Sequence, residues 1–391
     1  MDKSAEALTQ VARAGNFVRT AHCEATDPGA LDQLAMDLGD APLALVVLFA
    51  APSADLSILT RKAASLFPAT PVIGCTTAGE ISTEGYAENE IVAIGLPASH
   101  FAVDTILIPD LSALHSEDLI GRLIRSRQTL ARRNPDWSGE FAFLLVDGLS
   151  IKEDEVTSAL ASGLGPVPLF GGSAGDGTRF RETLLFHDGQ ILKNAAILTF
   201  VRSSCAVRVF SLDHLRPTER RMIVTEADPD RRIVHQINAE PAAFEYARIL
   251  GKDPAQLTTF TFAAHPVVVR IGGKHHVRSI RQMRPNGDLV FFSAIDEGLV
   301  LTLAEPEHMV QHLDRELTAL GAEVAPEAIL ACDCILRRIE AQDKQMFGQI
   351  SDTLRRHRVV GFSTYGEQHG AMHVNQTMTG VAIYPPPERS R

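Results

Sequence analysis

Three continuous apolar runs predict buried strands, because each is strand-sized and rich in β-branched and aliphatic residues. They cover residues 44–49, 141–146 and 329–335. Each run leads into a helix-like segment: Ser53 to Phe67, Glu153 to Leu164, and Arg338 to His357. The second segment carries acidic residues in its first turn and glycines at its end, which are signals for the start and the stop of a helix. The pattern predicts three successive strand–helix pairs.

A glycine follows each of these helices at a nearly constant distance from the start of the strand. The intervals are 30 residues from 44 to Gly74, 30 from 141 to Gly171, and 32 from 329 to Gly361. Each glycine opens a turn of small and hydroxyl residues that ends in a carboxylate, and another apolar run follows. The three carboxylates are Glu80, Asp176 and Glu367. We interpret the recurrence as β-α-β-turn-β units, which predict an α/β protein with mixed β-sheets and flanking helices.

The segment from about 213 to 325 lacks this unit and has hairpin signals instead. Gly272-Gly273 and Asn286-Gly287 lie between extended runs, and residues 289–295 form a strand-like apolar run. Helices are expected over 240–250 and 306–320. The Pro-rich tail at 385–391 is expected to be frayed.

Composition excludes several classes of protein. The 391 residues suffice for two or three domains, and 45% apolar with 22% charged residues is ordinary for a globular protein. The net charge of −11 argues against nucleic-acid binding, which needs a basic face. No apolar stretch reaches membrane-helix length, and the first residues lack the pattern of a secretory signal. Five scattered cysteines, among them Cys332-x-Cys334, are expected to be buried reduced thiols, which favours a cytoplasmic location.

The sequence lacks the motifs of familiar enzymes. No Gly-x-Ser-x-Gly or His-Glu-x-x-His is present, and no Lys follows the glycine turns as in a phosphate loop. These turns are expected to be tight connections between strands or, alternatively, to line a shared ligand pocket. His275-His276 and the pair His308 and His312 are expected on a turn and on a surface helix, without a metal. We therefore predict that the protein is not an enzyme.

Three histidines lie in less ordinary settings. His187 lies at a junction of strand and turn, His265 has apolar neighbours, and His373 precedes the last apolar run. Each could be a hydrogen-bonded structural residue. A neutral imidazole in an apolar pocket is also what haem iron needs as an axial ligand. Because Cys-x-x-Cys-His is absent, such a haem would be held non-covalently.

The glycine turns and the C-terminal region resemble a known sensory family. Residues 71–80 (PVIGCTTAGE), 360–367 (VGFSTYGE) and 373–380 (HVNQTMTG) are similar to the FIST sensory domain and its C-terminal companion, over about residues 25 to 385. Residues 293–302 (SAIDEGLVLT), preceded by Val277 to Ile280, resemble the branch of nitric-oxide-sensing haemoproteins (NosP-like).

The resemblance implies two packed FIST domains, at 25–220 and 221–385. It also implies a cytoplasmic sensor that binds haem b and takes nitric oxide at the iron. The expected partner is a histidine kinase or a cyclic-di-GMP synthase or phosphodiesterase that controls biofilm behaviour, and a homodimer is compatible with this function.

On this hypothesis His265 is the iron ligand, with His187 and His373 as alternatives. Arg278, Arg270 or Lys274 would pair with the haem propionates. The competing hypothesis is a module without haem that binds a small polar metabolite, such as an amino acid, at the turns ending in Glu80, Asp176 and Glu367.

Overall fold

Three similar repeats form most of the protein, and the computed structural model describes them within residues 17–386. Repeat 1 spans 19–97, repeat 2 spans 101–203, and repeat 3 spans 207–383 with an antiparallel domain (215–306) inserted near its start. In each repeat a strand and a helix precede the predicted unit of strand, helix, strand, turn and strand. The predicted α/β fold of mixed sheets with flanking helices is confirmed.

The first two repeats have the same order of elements. Repeat 1 contains β1 (Arg19–Glu24), α1 (Ala30–Leu38), β2 (Leu43–Ala50), α2 (Leu56–Leu66), β3 (Val72–Thr76), β4 (Glu80–Ser82), β5 (Gly85–Ala87) and β6 (Glu90–Pro97). Repeat 2 contains β7 (Phe101–Ile108), α3 (Ser116–Arg133), β8 (Gly139–Val146), α4 (Glu153–Leu164), β9 (Leu169–Ser173), β10 (Leu185–His187), β11 (Gln190–Leu192) and β12 (Ala196–Ser203).

Repeat 3 is interrupted after its first strand, β13 (Val207–Leu212). The antiparallel domain then supplies β14 (Leu215–Asp228), β15 (Ile233–Ile237), β16 (Glu240–Pro241), α5 (Ala242–Leu250), α6 (Thr259–Ala264), β17 (Val267–Ile271), β18 (Lys274–Arg278), β19 (Ile280–Met283), β20 (Leu289–Phe291) and β21 (Val300–Pro306). The repeat resumes with α7 (Met309–Leu320), β22 (Ala328–Cys334), α8 (Ile335–Asp343), α9 (Phe347–Arg356), β23 (Val359–Thr364), β24 (Glu367–His369), β25 (Met372–Val374) and β26 (Met378–Ile383).

Each repeat forms a sheet that is completed by a short hairpin from another repeat. The strand orders are β1-β6-β2-β3-β10-β11, β7-β12-β8-β9-β24-β25 and β13-β26-β22-β23-β4-β5. The central pair of each sheet, such as β2 and β3, is parallel, whereas the other neighbours are antiparallel. The hairpin of repeat 1 adds to repeat 3, that of repeat 2 to repeat 1, and that of repeat 3 to repeat 2. This cyclic exchange closes the three sheets into a ring.

The equally spaced glycines lie inside the second strand of each parallel pair, not in the connecting turns where we expected them. A Cβ built on Gly74, Gly171 or Gly361 would lie 2.0, 2.2 or 1.8 Å from a carbonyl oxygen of the neighbouring strand. Each glycine therefore allows a close approach of two backbones that a side chain would prevent.

The inner faces of the three sheets share one apolar core, to which all three repeats contribute. The ring of Phe49 stacks on Phe362 with centroids 4.3 Å apart, and Phe143 stacks on Phe170 at 5.0 Å. The cavity left between the sheets has a volume of about 10 Å³ and is lined by apolar residues alone. The centre of the ring therefore has no room for a ligand.

Helices cover the outer faces of the sheets and bury separate apolar clusters. Helices α1 and α2 pack on the first sheet, α3 and α4 on the second, and α7 and α9 on the third. Local sequence explains where they begin: Asp55 caps α2 by accepting the N–H of Ile58 at 3.0 Å, and α4 carries Glu153, Asp154 and Glu155 in its first turn.

The antiparallel domain contains both hairpins that the glycine signals predict. Strands β17 and β18 pair across Gly272-Gly273, and β19 and β20 pair across Asn286-Gly287. The domain has its own core, in which α5 and α6 pack on the sheet. The helices expected at 240–250 and 306–320 are present as α5 and α7.

Two expected elements differ from prediction. The segment 338–357 forms two helices rather than one, because Gln345 between them has a φ of 56°. The strand expected over 289–295 ends at Phe291. Four of the five cysteines are buried, Cys23 is half-buried, and all five are free thiols. Of the tail predicted to be frayed, residues 387–391 lie outside the described residues.

Among residues 17–386, no helix is both long and apolar enough to cross a membrane.

Candidate functional site

A cleft lies where repeats 1 and 2 meet, at the carboxyl ends of the parallel strands β2 and β3. Its volume is about 520 Å³, and its lining includes Asp55, Thr76, Asp176, Arg179, Arg181 and Glu182. Sheets of this kind bind ligands outside the carboxyl ends of their strands, and the volume falls within the usual range of small-molecule sites. The location and size make this cleft a candidate binding site.

The carboxylate of Asp176 organises the loop that forms one wall of the cleft. It accepts the backbone N–H groups of Phe180 at 2.8 Å, Arg181 at 3.0 Å and Glu182 at 3.0 Å. It also accepts the hydroxyl of Tyr365 from repeat 3. Because these donors satisfy its oxygens, Asp176 shapes the wall and is not a free acid for a ligand.

Two arginines give this wall a positive charge. The side chain of Arg179 is 58% exposed and donates from Nε to the backbone oxygen of Asp176 at 3.0 Å. Arg181 is exposed and makes no ion pair among residues 17–386. On the same loop, Glu182 pairs with Lys193 at 2.5 Å, so its charge is already compensated. The cleft therefore offers guanidinium donors to a carboxylate or another anion.

The other two predicted turn carboxylates are buried and bonded internally. Glu80 accepts the hydroxyl of Thr77 and the N–H of Glu90, and Glu367 accepts Thr364 and Thr377 in the same way. Burial raises the pKa of Glu80 to about 7 and that of Glu367 to about 8. These two residues stabilise equivalent turns, and neither faces the cleft.

Asp176 is not the structural equivalent of Glu80 and Glu367, although the turn sequences align them. In the sheets, Glu80 pairs with Phe362 and Glu367 pairs with Gly172, whereas Leu185 occupies that register position in repeat 2. The turn of repeat 2 is longer, and the extra residues form the wall that Asp176 organises. The hypothesis of one pocket lined by all three acidic turns is therefore wrong.

Arginine side chains fill the corresponding junctions elsewhere in the ring. Arg338 occupies the junction of repeats 3 and 1, where it donates to the backbone oxygens of Ala87 at 2.7 Å and Glu80 at 3.2 Å. At the junction of repeats 2 and 3, Arg232 of the antiparallel domain donates to Glu153 at 2.8 Å and Asp154 at 3.0 Å. The equivalent position between repeats 1 and 2 is the open cleft.

The candidate iron ligands His187 and His265 lie in separate places. His187, in β10, is hydrogen-bonded through Nε2 to the hydroxyl of Thr105 at 3.1 Å. His265 ends α6, and its backbone oxygen accepts the hydroxyl of Tyr246. The imidazole of His265 is half-buried, and burial lowers its pKa, so it is neutral at pH 7.

The structure brings His373 and Arg278 together, although the sequence placed them in different roles. His373 lies in β25, which contacts α4 and β18, and β18 ends at Arg278. The same region between the domains also contains Glu153, Asp154 and Arg232. His373 is 2% exposed and Arg278 is 8% exposed. Burial lowers the pKa of His373, and the charges of Glu153 and Asp154 oppose that effect.

Other sequence candidates lie on the surface or in ordinary packing. Arg270, Lys274 and His275 are exposed on the hairpin of β17 and β18. His308 caps α7, whereas His312 is buried and not on the surface as expected. Within the described residues, no group of three or more His, Cys, Asp or Glu could hold a metal ion.

The histidines fit a haem in one respect and not in another. The neutral imidazoles of His265 and His373 suit an axial ligand. However, no histidine lines the central cavity or the cleft between repeats 1 and 2. The choice of His265 as iron ligand stays a prediction.

Sequence reasoning missed Arg179, Arg181 and Arg232. The two cleft arginines lie within the longer turn of repeat 2, whose extra length is concealed when the three turns are aligned by residue type. Arg232 has a φ of 54°, and no sequence motif predicts this left-handed conformation.

Comparison with known families identifies two adjoining domains. The FIST N domain matches residues 44–240, and the FIST C domain matches residues 242–369. No significant match is found among curated proteins. The predicted domain boundary at 220/221 stays a prediction. With both domain types matched in sequence order over most of its length, the chain belongs to the FIST family.

Proposed function

We propose that this protein is a sensor whose cleft between repeats 1 and 2 binds a small polar metabolite with a carboxylate group, such as an amino acid. FIST domains are sensory domains, which makes ligand binding the expected activity. The observation that carries the proposal is the cleft of about 520 Å³ at the carboxyl ends of β2 and β3. This hypothesis keeps the metabolite but replaces the three acidic turns with the arginine-bearing wall.

The charges on the wall support this class of ligand. Arg179 and Arg181 present guanidinium groups that can hold a carboxylate in a two-point geometry. The hydroxyl of Thr76 accepts the N–H of Leu184 at 3.0 Å, which fixes the floor of the cleft. Binding would order the exposed arginine side chains on a loop that Asp176 already holds in place.

The same loop offers a route for a signal. Tyr365 of repeat 3 bonds to Asp176 and contacts Phe180 and Phe292, the last of which belongs to the antiparallel domain. A ligand that shifts this loop would therefore change contacts with both neighbours. We propose that a separate signalling protein responds to this change. The FIST protein itself would act by binding its ligand and this partner rather than by catalysis.

The test is calorimetric titration of the full chain with a panel of amino acids and small dicarboxylates. We expect saturable binding of at least one compound, with affinity at least tenfold weaker in Arg181→Gln. Arg125→Gln, on the exposed face of α3, is the matched control and should bind like the parent. A panel without any binder, or equal affinity in Arg181→Gln, would contradict the proposal.

Haem-based nitric oxide sensing is the second candidate, and the buried neutral imidazole of His373 is the observation that favours it. On this reading haem b would supply the iron that binds nitric oxide, and the partner would be a histidine kinase or a cyclic-di-GMP enzyme in the cytoplasm.

Absorption spectra of the protein purified with haem test this candidate. A stoichiometric Soret band that shifts with nitric oxide, and that changes in His265→Ala, His373→Ala or His187→Ala, is the expected result. His275→Ala is the control because that residue is exposed. A protein that stays colourless would remove haem from consideration.

A further inference from the structure

Two arginines in the antiparallel domain, one buried and one half-buried, each have a buried Nε without a hydrogen-bond partner among the described residues. Arg278 is 8% exposed, and its only hydrogen bond within residues 17–386 runs from Nη1 to the backbone oxygen of Val277 at 3.2 Å. Its Nε is buried and unpaired within the described chain. Arg281, three residues later and half-buried, also has a buried Nε without a described partner. A buried charge without an ion pair is strongly unfavourable.

The carboxylates nearby are already engaged elsewhere. Glu153 and Asp154 both bond to Arg232, at 2.8 and 3.0 Å, and Asp154 also accepts the N–H of Ala294 at 3.2 Å. Burial lowers the pKa of Arg278, and the charge of Asp154 opposes this effect only in part. Three guanidinium groups therefore share two carboxylates, which leaves an excess of positive charge in a buried place.

His373 adds a further unsatisfied donor to the same place. Its Nδ1 lies 3.3 Å from Nε2 of Gln368. With this amide nitrogen as the donor, Nδ1 accepts and the imidazole proton is assigned to Nε2. This Nε2 is buried and makes no hydrogen bond to any described residue. The Cε1–Nε2 edge of the ring packs against Gly366, since a Cβ there would lie 2.2 Å from Cε1 and 2.8 Å from Nε2. A fixed ring with an unpaired N–H can donate a hydrogen bond to a bound acceptor.

We propose that Arg278 and His373, flanked by Arg281, form an oxyanion-binding site between the antiparallel domain and repeat 3. The ligand group is a carboxylate or a phosphate, because both accept hydrogen bonds from guanidinium and imidazole N–H groups. This site is separate from the cleft of repeats 1 and 2, and the inference does not depend on the proposed function. An anion here would join β18 to β25 and so couple the inserted domain to the ring.

The full chain is titrated separately with inorganic phosphate and with succinate in a buffer without oxyanions, and the melting temperature is recorded. We expect saturable stabilisation by at least one probe at submillimolar concentration. Stabilisation by phosphate alone, or by succinate alone, identifies the ligand class. The probe concentration that gives half of the maximal stabilisation (the midpoint) should rise at least tenfold in Arg278→Gln and in His373→Gln.

Two controls separate this site from other sources of binding. Arg270→Gln, on the exposed part of the same hairpin, should keep the midpoint of the parent with both probes. Arg181→Gln, in the cleft, should keep it with phosphate. Because succinate is also a candidate ligand of the cleft, its binding to the site of Arg278 is measured in the Arg181→Gln background. Failure of the cleft proposal would thus leave this result unaffected. A rise in melting temperature that does not saturate, or an unchanged midpoint in Arg278→Gln, would overturn the inference.

The stability of the ligand-free variant gives an independent readout. Because Arg278 is an uncompensated buried charge, Arg278→Gln should melt at the same temperature as the parent or at a higher one when no anion is present. A structural arginine would behave in the opposite way. A destabilised or unfolded Arg278→Gln therefore also counts against the proposal.

Discussion

The hydroxyl of Tyr365 in repeat 3 is bonded twice to Asp176 in repeat 2. It accepts the backbone N–H of Asp176 at 3.0 Å and donates to the carboxylate of the same residue. The two residues are 189 positions apart in sequence, and both are almost completely buried. Since Asp176 organises the wall of the cleft, this pair ties that wall to the third repeat.

Tyr365→Phe should loosen the wall without unfolding the ring. Loss of a buried hydroxyl that satisfies Asp176 should cost about 1–2 kcal/mol of unfolding free energy. Hydrogen exchange at the amides of Phe180, Arg181 and Glu182 should become faster, because the Asp176 carboxylate that accepts them loses its anchor. Tyr384→Phe removes a hydroxyl bonded to Leu320 and should leave these amides unchanged. Equal protection in both variants would show that the pair does not hold the wall.

Glu367→Gln should change how stability depends on pH. The folded-state pKa of Glu367 is about 8, well above its ordinary value, so folding favours the protonated carboxyl. The unfolded chain ionises first as pH rises, and stability should therefore fall between about pH 4.5 and pH 8. At pH 8.5 the variant should be more stable than the parent by about 1–3 kcal/mol, with little difference at pH 4.

Denaturant unfolding at several pH values measures this effect. Glu323→Gln is the control, because that residue is exposed and should leave the pH profile unchanged. Glu80, with a pKa of about 7, should give a smaller change of the same sign. Parallel profiles for the parent and Glu367→Gln would mean that the acid is ionised in the folded state.

Gly171→Ala should be severely destabilising. The added Cβ would lie 2.2 Å from the carbonyl oxygen of Leu144, so β8 and β9 would have to separate. We expect a loss of about 3 kcal/mol or more, or failure to fold. Gly348→Ala is the matched substitution, since a Cβ there meets nothing within 4 Å and α9 should gain up to about 1 kcal/mol. A fall of less than about 1 kcal/mol in Gly171→Ala would refute the close approach.

Arg337→Leu should destabilise repeat 3 by leaving a buried acid unpaired. Arg337 donates from Nε to Asp333 at 2.7 Å, and both side chains are at most 1% exposed. Removing one member of such a pair should cost about 3–5 kcal/mol, measured by chemical denaturation. Arg315→Leu breaks an exposed pair with Glu316 and should change stability by less than about 0.5 kcal/mol. Similar losses in the two variants would disprove the role of burial.

The local elements could be predicted because each has its own signal. The apolar runs became β2, β8 and β22, and the helix at Glu153 begins and ends where its acidic first turn and terminal glycines indicate. The pairing of the hairpins could not be predicted in the same way. Strands of three residues, such as β4, have no pattern that names a partner, so their partner is set by tertiary packing.

In the candidate sites, too, individual residues could be predicted from the sequence, whereas their arrangement in space could not. His373 and Arg278 were singled out one by one from their sequence neighbours. Their proximity depends on the inserted domain contacting β25, a relationship between residues about 95 positions apart in sequence that only the fold reveals. The cleft arises because the turn of repeat 2 is longer than its counterparts, which alignment by residue type concealed.

The exchange of hairpins also affects how the chain is made on the ribosome. Repeats 1 and 2 emerge first, but the hairpin of β4 and β5 has no sheet to join, and β9 has an open edge. Both wait for repeat 3, whose strands β23, β24 and β25 are synthesised after repeats 1 and 2. The ring therefore closes only after all three repeats have been synthesised, and until then its unpaired strands are exposed to aggregation or to a chaperone.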